Sequence, residues 1–169
     1  MAIVTTDILG SDQVGVYLAV CGDVLFHPQD LASDITEKMS TSLEIETCSI
    51  SIGGSSLIGS LMAGTKKGLA IADIATDSDI DKLTSYGDVV VMEGGVNTAG
   101  NLIVCNSEGA VLSPAIPEDG VEIISEVFGI PAIVSSIASD DVVGSLAVAN
   151  DQGVLLHPDV HPDEGKLIE

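Results

Sequence analysis

The chain has 169 residues, of which 46% are apolar, and a chain of this size and composition can bury one sizeable core. It carries 26 acidic residues against five lysines and no arginine, a formal net charge of −21. This charge argues strongly against a direct grip on a nucleic acid backbone, which needs clustered Lys and Arg. No uninterrupted apolar run approaches a membrane span of about 18 residues, and the given N-terminus has neither the basic region nor the long apolar region typical of a secretory signal. We therefore expect a soluble, cytoplasmic protein with neither a DNA nor a membrane partner.

Two interpretations of the acidity remain open, and they are compatible. One is a solvated acidic surface adapted to a salty cytosol, where salt screens self-repulsion. The other is complementarity to a basic partner protein. The core must come from Val, Ile, Leu and Ala, since Trp is absent and Phe and Tyr number two each. Three widely spaced cysteines, Cys21, Cys48 and Cys105, are expected to be free core thiols in a reducing compartment.

The first part of the chain predicts two strands, at residues 14–20 and 24–26, and a third at 45–52. Between them, Leu31, Ile35, Met39 and Leu43 recur every fourth residue, which predicts an amphipathic helix over residues 29–43. The second part repeats the order, with strands at 56–63, 69–72 and 89–92. Thr76 is expected to cap a helix over residues 77–85.

The third part predicts strands at 101–105, 110–112 and 133–137, with a helix that begins at Pro117. The fourth part, VGSLAVANDQGVLLHP, predicts a hairpin with strands at 145–149 and 154–156. Gly153 is expected to supply a positive φ to its turn. Beyond it, the segment DVHPDEGKLIE is compatible with the start of a helix, but Pro158 and Pro162 disfavour regular helix around His157 and His161, where a surface loop is expected.

These parts form a repeat marked by glycine. The first glycines of the copies are Gly15, Gly59, Gly100 and Gly144, which lie 44, 41 and 44 residues apart. In the last three copies a second glycine follows nine positions later. The first copy fits with a turn one residue shorter, which places His27 and His157 at the same position. We predict one domain over residues 1–169, with units at about 1–55, 56–97, 98–140 and a partial 141–169.

The segments IGGSSLIGSLMAGTKKGL, AGNLIVCNSEGAVLSP and VGSLAVANDQGVLLHP, in ββαβ units, closely resemble the translation initiation factor 6 family, the archaeal and eukaryotic ribosome anti-association factors. The resemblance implies an α+β pentein fold, a propeller of five ββαβ units. This chain would hold three complete units and part of a fourth. It is therefore expected to be C-terminally incomplete, or else to fold as an open arc.

The resemblance further implies a function and its partners. The factor would bind the large ribosomal subunit, chiefly ribosomal proteins of the L14 and L24e families near the sarcin-ricin loop, with limited direct rRNA contact. There it would block the small subunit sterically and take part in large-subunit maturation. No cofactor is implied. Candidate contacts are the turn tips and two motif positions, in chain order Ser60, Thr65, Lys66, Lys67, Asn106, Ser107 and Asn150.

Other classes of function are compatible with parts of the sequence. Other penteins modify guanidine groups with a Cys, a His and paired acids, so Cys21 or Cys105 with His27 or His157 could form such a site. Residues dictated by a repeat are better explained as structural, and we expect no enzyme. His157 and His161 lack a clear third ligand, so no metal site is expected. The glycine pairs at 53–54 and 94–95 lack the lysine of a phosphate loop and read as tight connections. Besides the guanidine-modifying enzyme, the other alternative is an inactive structural paralogue.

Overall fold

The computed structural model describes residues 4–93, 95 and 97–168 and has a mixed α+β architecture. The first half comprises α1 (Val14–Tyr17), β1 (Ala19–Cys21), β2 (Val24–Pro28), α2 (Ser33–Leu43), β3 (Glu46–Ile50), α3 (Ile58–Leu61), β4 (Met62–Gly64), β5 (Gly68–Ile71), α4 (Asp77–Leu83) and β6 (Asp88–Val91). The second half comprises α5 (Ala99–Leu102), β7 (Ile103–Cys105), β8 (Ala110–Leu112), α6 (Glu118–Phe128), β9 (Ala132–Val134), α7 (Val143–Leu146), β10 (Ala147–Asn150), β11 (Gly153–Leu156) and α8 (Pro162–Ile168).

One sheet topology occurs three times. In the sheets β1-β2-β3, β4-β5-β6 and β7-β8-β9, the first two strands pair antiparallel as a hairpin and the third lies parallel to the second. A helix connects the second strand to the third, as a parallel pair requires. The fourth element of the series is the hairpin β10-β11 alone.

Each predicted first strand was wrong in its N-terminal half, which is a single helical turn. The four short helices α1, α3, α5 and α7 lie against one another in series. A Cβ on Gly59, Gly100 or Gly144 would collide with the carbonyl oxygen of the glycine one copy earlier. The recurring glycine therefore allows close backbone packing between turns of helix. Sequence pattern alone could not separate this turn from the strand, because both are short and apolar.

The hairpin tips depend on an asparagine side chain in the last two copies. Asn150 Oδ1 accepts hydrogen bonds from the backbone N–H of Gln152 (2.8 Å) and Gly153 (3.1 Å). Asn106 Oδ1 does the same for Glu108 and Gly109. The expected positive φ at Gly153 was wrong, since Gly153 is absent from the residues with positive φ and begins β11. The asparagine closes the turn instead.

The expected shorter turn of the first copy was also wrong. Cys21 pairs with Val24 across a two-residue tip, just as Asn150 pairs with Gly153. Counting from these pairs, His27 corresponds to Leu156, and it is Pro28 that corresponds to His157. The two histidines are therefore not equivalent positions of the repeat.

The longer helices cover the preceding sheets. Between α4 and the sheet β1-β2-β3, Leu83 packs with the sheet, and the ring of Tyr86 contacts that of Phe26 edge-on, with ring centroids 5.2 Å apart. Between α6 and the sheet β4-β5-β6, Phe128 packs with Ala70. Between α8 and the sheet β7-β8-β9, Ile168 packs with Val111. Phe26, Ala70 and Val111 stand at the same register position, so each sheet buries the same strand position under the next helix.

Leu155 occupies that position in the fourth hairpin, and there it is 72% exposed. Its pair Val148 is 63% exposed, whereas Val104, which stands at the same position of the third sheet, is buried. The outer face of the fourth hairpin is thus an apolar face without the helix that covers the other three.

The predicted start of α4 agrees with the structure. The helix expected over residues 29–43 begins only at Ser33, because the residues before it form a turn in which the N–H of Leu31 donates to the carbonyl of Pro28. Thr76 caps α4 with a capping box: its side chain accepts from the N–H of Asp79, and the Asp79 carboxylate accepts from the N–H of Thr76. Partial burial opposes ionisation of Asp79, but the N–H groups of Thr76 and Gly53 still hold its pKa below the ordinary value. The predicted tight turn at Gly53 and Gly54 is confirmed, with φ of 58° and 78°. Of the second predicted pair, Gly94 lies outside the described residues.

The C-terminal segment forms a helix, α8, which begins at Pro162, so the expected surface loop is limited to residues 157–161. Proline suits the first helical position because its missing N–H would be unpaired there anyway. Glu164 ties this helix to the turn that precedes the fourth hairpin. Its carboxylate accepts from Ser136 Oγ (2.7 Å) and from the N–H groups of Ala138 (3.0 Å) and Ser139 (3.1 Å).

Candidate binding surface at the hairpin tips

The tips of all four hairpins surround one cavity of about 430 Å³. We call its polar rim the tip surface, and it consists of Asp23, Thr65, Lys66, Lys67, Asn106, Ser107, Asn150 and Asp151. Repeated hairpins packed side by side place their turns at one end, and the sheets here lie against each other in chain order. The predicted contact residues are therefore neighbours in space, with one exception.

The exception is Ser60, which the structure places away from the cavity. It lies in α3, at the end of β4 opposite to the turn. Its match to the motif reflects the short helices that pack through Gly59, not the tip surface.

The second tip is bonded to both of its neighbours. Lys66 Nζ forms an ion pair with Asp23 Oδ2 of the first hairpin. Lys67 Nζ donates to the carbonyl of Gly129 (3.2 Å), the C-cap of α6, where a cation also complements the helix dipole. The hydroxyl of Thr65 donates to the carbonyl of Phe128 (2.9 Å). Both lysines thus contribute to intramolecular structure as well as to the surface.

The third and fourth tips are bonded in the same way. Asn106 Nδ2 donates to the carbonyl of Asn150 (3.2 Å), and the N–H of Ser107 donates to Asp151 Oδ1 (2.9 Å). That backbone bond, with the Ser107 hydroxyl, lowers the pKa of Asp151, so its carboxylate stays charged near neutral pH. The rim is consequently a fixed arrangement of charges and amides.

The inner wall of the cavity was missed by the sequence analysis. It is formed by Val20, Gly64, Cys105 and Ala149, the residues one position before the tip pair in each hairpin. Their small size and shared register were visible in the repeat. Correct alignment of the first copy would have placed Val20 among them.

The thiols lack the ionisation that a nucleophile needs. Burial, with a smaller effect of the nearby Cys105, raises the pKa of Cys21 far above its ordinary value. Burial also raises the pKa of Cys105 to about 11, although its thiol donates to the Gly64 carbonyl. Both sulfurs therefore remain protonated near pH 7, whereas the thiolate is the reactive form. His27 is buried, with Nδ1 2.9 Å from the carbonyl of Pro28.

The histidines near the C-terminus act as caps within the chain. His157 Nδ1 accepts from the N–H of Asp159, and His161 Nδ1 accepts from the N–H of Asp163, each at 3.3 Å. Within residues 4–93, 95 and 97–168 no group of three His, Cys, Asp or Glu side chains is arranged to hold a metal. In that same part of the chain, every helix is too short or too polar to cross a bilayer.

These features define a class: a modular α+β protein whose repeated hairpins present a rigid, charged set of turns around a cavity. The family model of the eIF-6 family matches residues 3–169, and the chain belongs to that family. A relative from Methanospirillum hungatei, named translation initiation factor 6, is 32% identical over 96% of this chain and 73% of its own length. Proteins of the same name from Haloquadratum walsbyi and Picrophilus torridus are each 33% identical over 95% of this chain, and 72% and 74% of their own lengths.

Proposed function

We propose that this protein binds the large ribosomal subunit in the cytoplasm through its tip surface and blocks premature joining of the small subunit. Membership of the eIF-6 family, with relatives named translation initiation factor 6, supports this. The partners proposed are ribosomal proteins of the L14 and L24e families, with little direct rRNA contact and a further role in large-subunit maturation. Steric blocking requires a rigid body with a complementary patch and slow dissociation, without chemistry or a cofactor.

The single observation that carries the proposal is the convergence of four tips on one face with their polar groups already bonded. Such pre-organisation lowers the entropic cost of binding, because few side chains remain to be ordered. The charge of the chain, −21, favours basic proteins over RNA as the direct contact.

We also propose that the fold is a pentein-type propeller, with units at about 1–55, 56–97, 98–140 and 141–169. The recurring sheet topology and the glycine contacts between successive short helices support it. At one end of the series, no atom of the described residues lies within 4 Å of the Cβ position of Gly15, the position that is crowded in the other three copies. At the other, Val148 and Leu155 lie exposed. A fifth unit would fill both places.

Co-sedimentation with purified large and small subunits, followed by a subunit-joining assay, tests the function. The wild type should sediment with large subunits alone and inhibit joining. Asp23→Lys removes an acid from the tip surface and places a second cation beside Lys66, so it should weaken binding to a basic partner. Asp163→Lys is the matched control, since Asp163 is an equally exposed aspartate paired with a lysine, Lys166, outside the tip surface. Absence of large-subunit binding by the folded wild type would rule out the function.

A further inference from the structure

The inner wall of the tip cavity differs chemically from its rim. Four structurally equivalent residues, Val20, Gly64, Cys105 and Ala149, line one cavity, and Phe128 and Ile130 add apolar surface. Val20 is 58% exposed although it is an aliphatic residue on a strand. The wall is thus apolar, open and built from the same position of every hairpin.

The rim groups already have partners inside the chain. Lys66 pairs with Asp23, Lys67 binds the Gly129 carbonyl, and the Asp151 carboxylate accepts from the N–H of Ser107. The two lysines therefore offer a partner few new hydrogen bonds, whereas each carboxylate keeps oxygen lone pairs that can still accept from a cation. The surface on which binding can release water from apolar atoms is the wall below them.

The volume fits one large side chain. A cavity of roughly 150 Å³ is enough for a benzene ring, and this one measures about 430 Å³. Interfaces between proteins concentrate their free energy in a few anchor side chains that fill such pockets, surrounded by a polar rim.

We infer that the tip cavity is the anchor pocket for one apolar side chain of a basic partner protein, a conclusion that rests on the proposed function. The partner segment carries an aliphatic or aromatic residue next to Lys or Arg. The apolar residue contacts Val20 and Ala149, and the cation meets the carboxylates of Asp23 and Asp151. Charge complementarity supports this occupant, since the chain is strongly acidic and Lys66 and Lys67 already contact an aspartate and a helix end.

Two variants of Val20, one with a smaller polar side chain and one with a larger apolar side chain, test the pocket. Val20→Ser removes apolar contact and should weaken binding to purified large subunits about tenfold, the value expected for roughly two buried methyl groups. Val20→Phe occupies the space of the anchor and should weaken binding at least as much. Val148→Ser and Val148→Phe are the controls, because Val148 is an equally exposed strand valine outside the cavity. Urea unfolding of every variant shows whether the fold is retained.

The outcomes separate the pocket from the proposed function. If the wild type fails to bind large subunits, the proposed function fails. If the wild type binds and both folded Val20 variants bind equally well, only the anchor pocket is refuted. Binding is then measured with individually purified large-subunit proteins and with protein-free rRNA. Val20-dependent binding to a basic protein supports the inference, and Val20-dependent binding to the naked rRNA overturns it.

Discussion

The α-carbon of Gly100 lies against the backbone carbonyl oxygen of Gly59, so closely that a methyl group between them would overlap the oxygen. The same relationship joins Gly59 to Gly15 and Gly144 to Gly100. It sets the spacing between copies, because a turn of helix can approach the carbonyl oxygen of the preceding turn this closely only where the approaching residue lacks a side chain.

Gly100→Ala should therefore destabilise the protein by about 1–3 kcal/mol, the usual cost of overpacking a close contact. Gly15→Ala is a matched control at the same repeat position. Its added Cβ meets no atom within 4 Å and its φ is not positive, so alanine should be neutral or stabilising by up to about 1 kcal/mol. Urea unfolding measures both free energies. Equal losses in the two variants would contradict the role of the glycine contact.

Glu164 should make the docking of α8 pH-dependent. The N–H of His161, then the Ser136 hydroxyl, lower the pKa of this carboxyl from an ordinary 4.5 to about 2. Because the pKa is lower in the folded state, the ionised Glu164 carboxylate stabilises the folded protein. This contribution is fully present above pH 4.5 and is lost as the pH falls from there through 2. Glu164→Gln should thus lower the melting temperature at pH 7, and the difference from wild type should shrink on acidification below pH 4.5.

The control for this experiment is Glu122→Gln, an exposed glutamate of α6 with no hydrogen bond within the described residues. It should leave the pH dependence of the melting temperature unchanged. A Glu164→Gln difference that stays constant from pH 7 to pH 3 would show that the carboxylate contributes nothing through its charge.

Asn106 and Asn150 close equivalent turns, but Asn106 also bonds to the next hairpin through the carbonyl of Asn150. Replacing either by Ala should open its own turn, because two backbone N–H groups lose their acceptor. Only Asn106→Ala should also increase amide hydrogen exchange in the adjoining tip, at Gln152 and Gly153, because the Asn106 side chain donates to that tip whereas Asn150 contributes only its backbone carbonyl to the bond. Protection that falls equally in both variants would argue against coupling between the tips.

Cys105 should react slowly with iodoacetamide near neutral pH. With its pKa raised to about 11 from 9.0, its thiolate fraction at pH 7.5 is about a hundredfold lower than that of an ordinary thiol. The alkylation rate, followed by mass spectrometry with Cys105→Ser as the control, should rise continuously up to pH 10. An alkylation rate that levels off below pH 8 would show that Cys105 is an activated thiolate and would support the alternative of a guanidine-modifying enzyme.

Much of the fold follows from patterns of short range. The hairpin strands near the tips, the capped start of α4 at Thr76 and the amphipathic pattern of α2 all depend on residues close together in sequence. The predicted grouping of Lys66, Asn106 and Asn150 at one surface was correct as geometry because repeated turns must emerge together. Their role as contacts with a partner remains a prediction.

By itself the sequence determined the repeat, the mixed α and β elements and the family of the protein. Periodic glycines and apolar segments are local patterns, which are visible without knowledge of how the strands pair. Only the tertiary structure decided that Gly59 and Gly100 bring short helices together, that His27 aligns with Leu156 and that Val20 faces a shared cavity. These facts depend on strand register and on packing between copies, where one residue of offset turns a side chain to the opposite face. No local pattern fixes that offset, since the first and last copies both end in His-Pro and yet pair one residue apart.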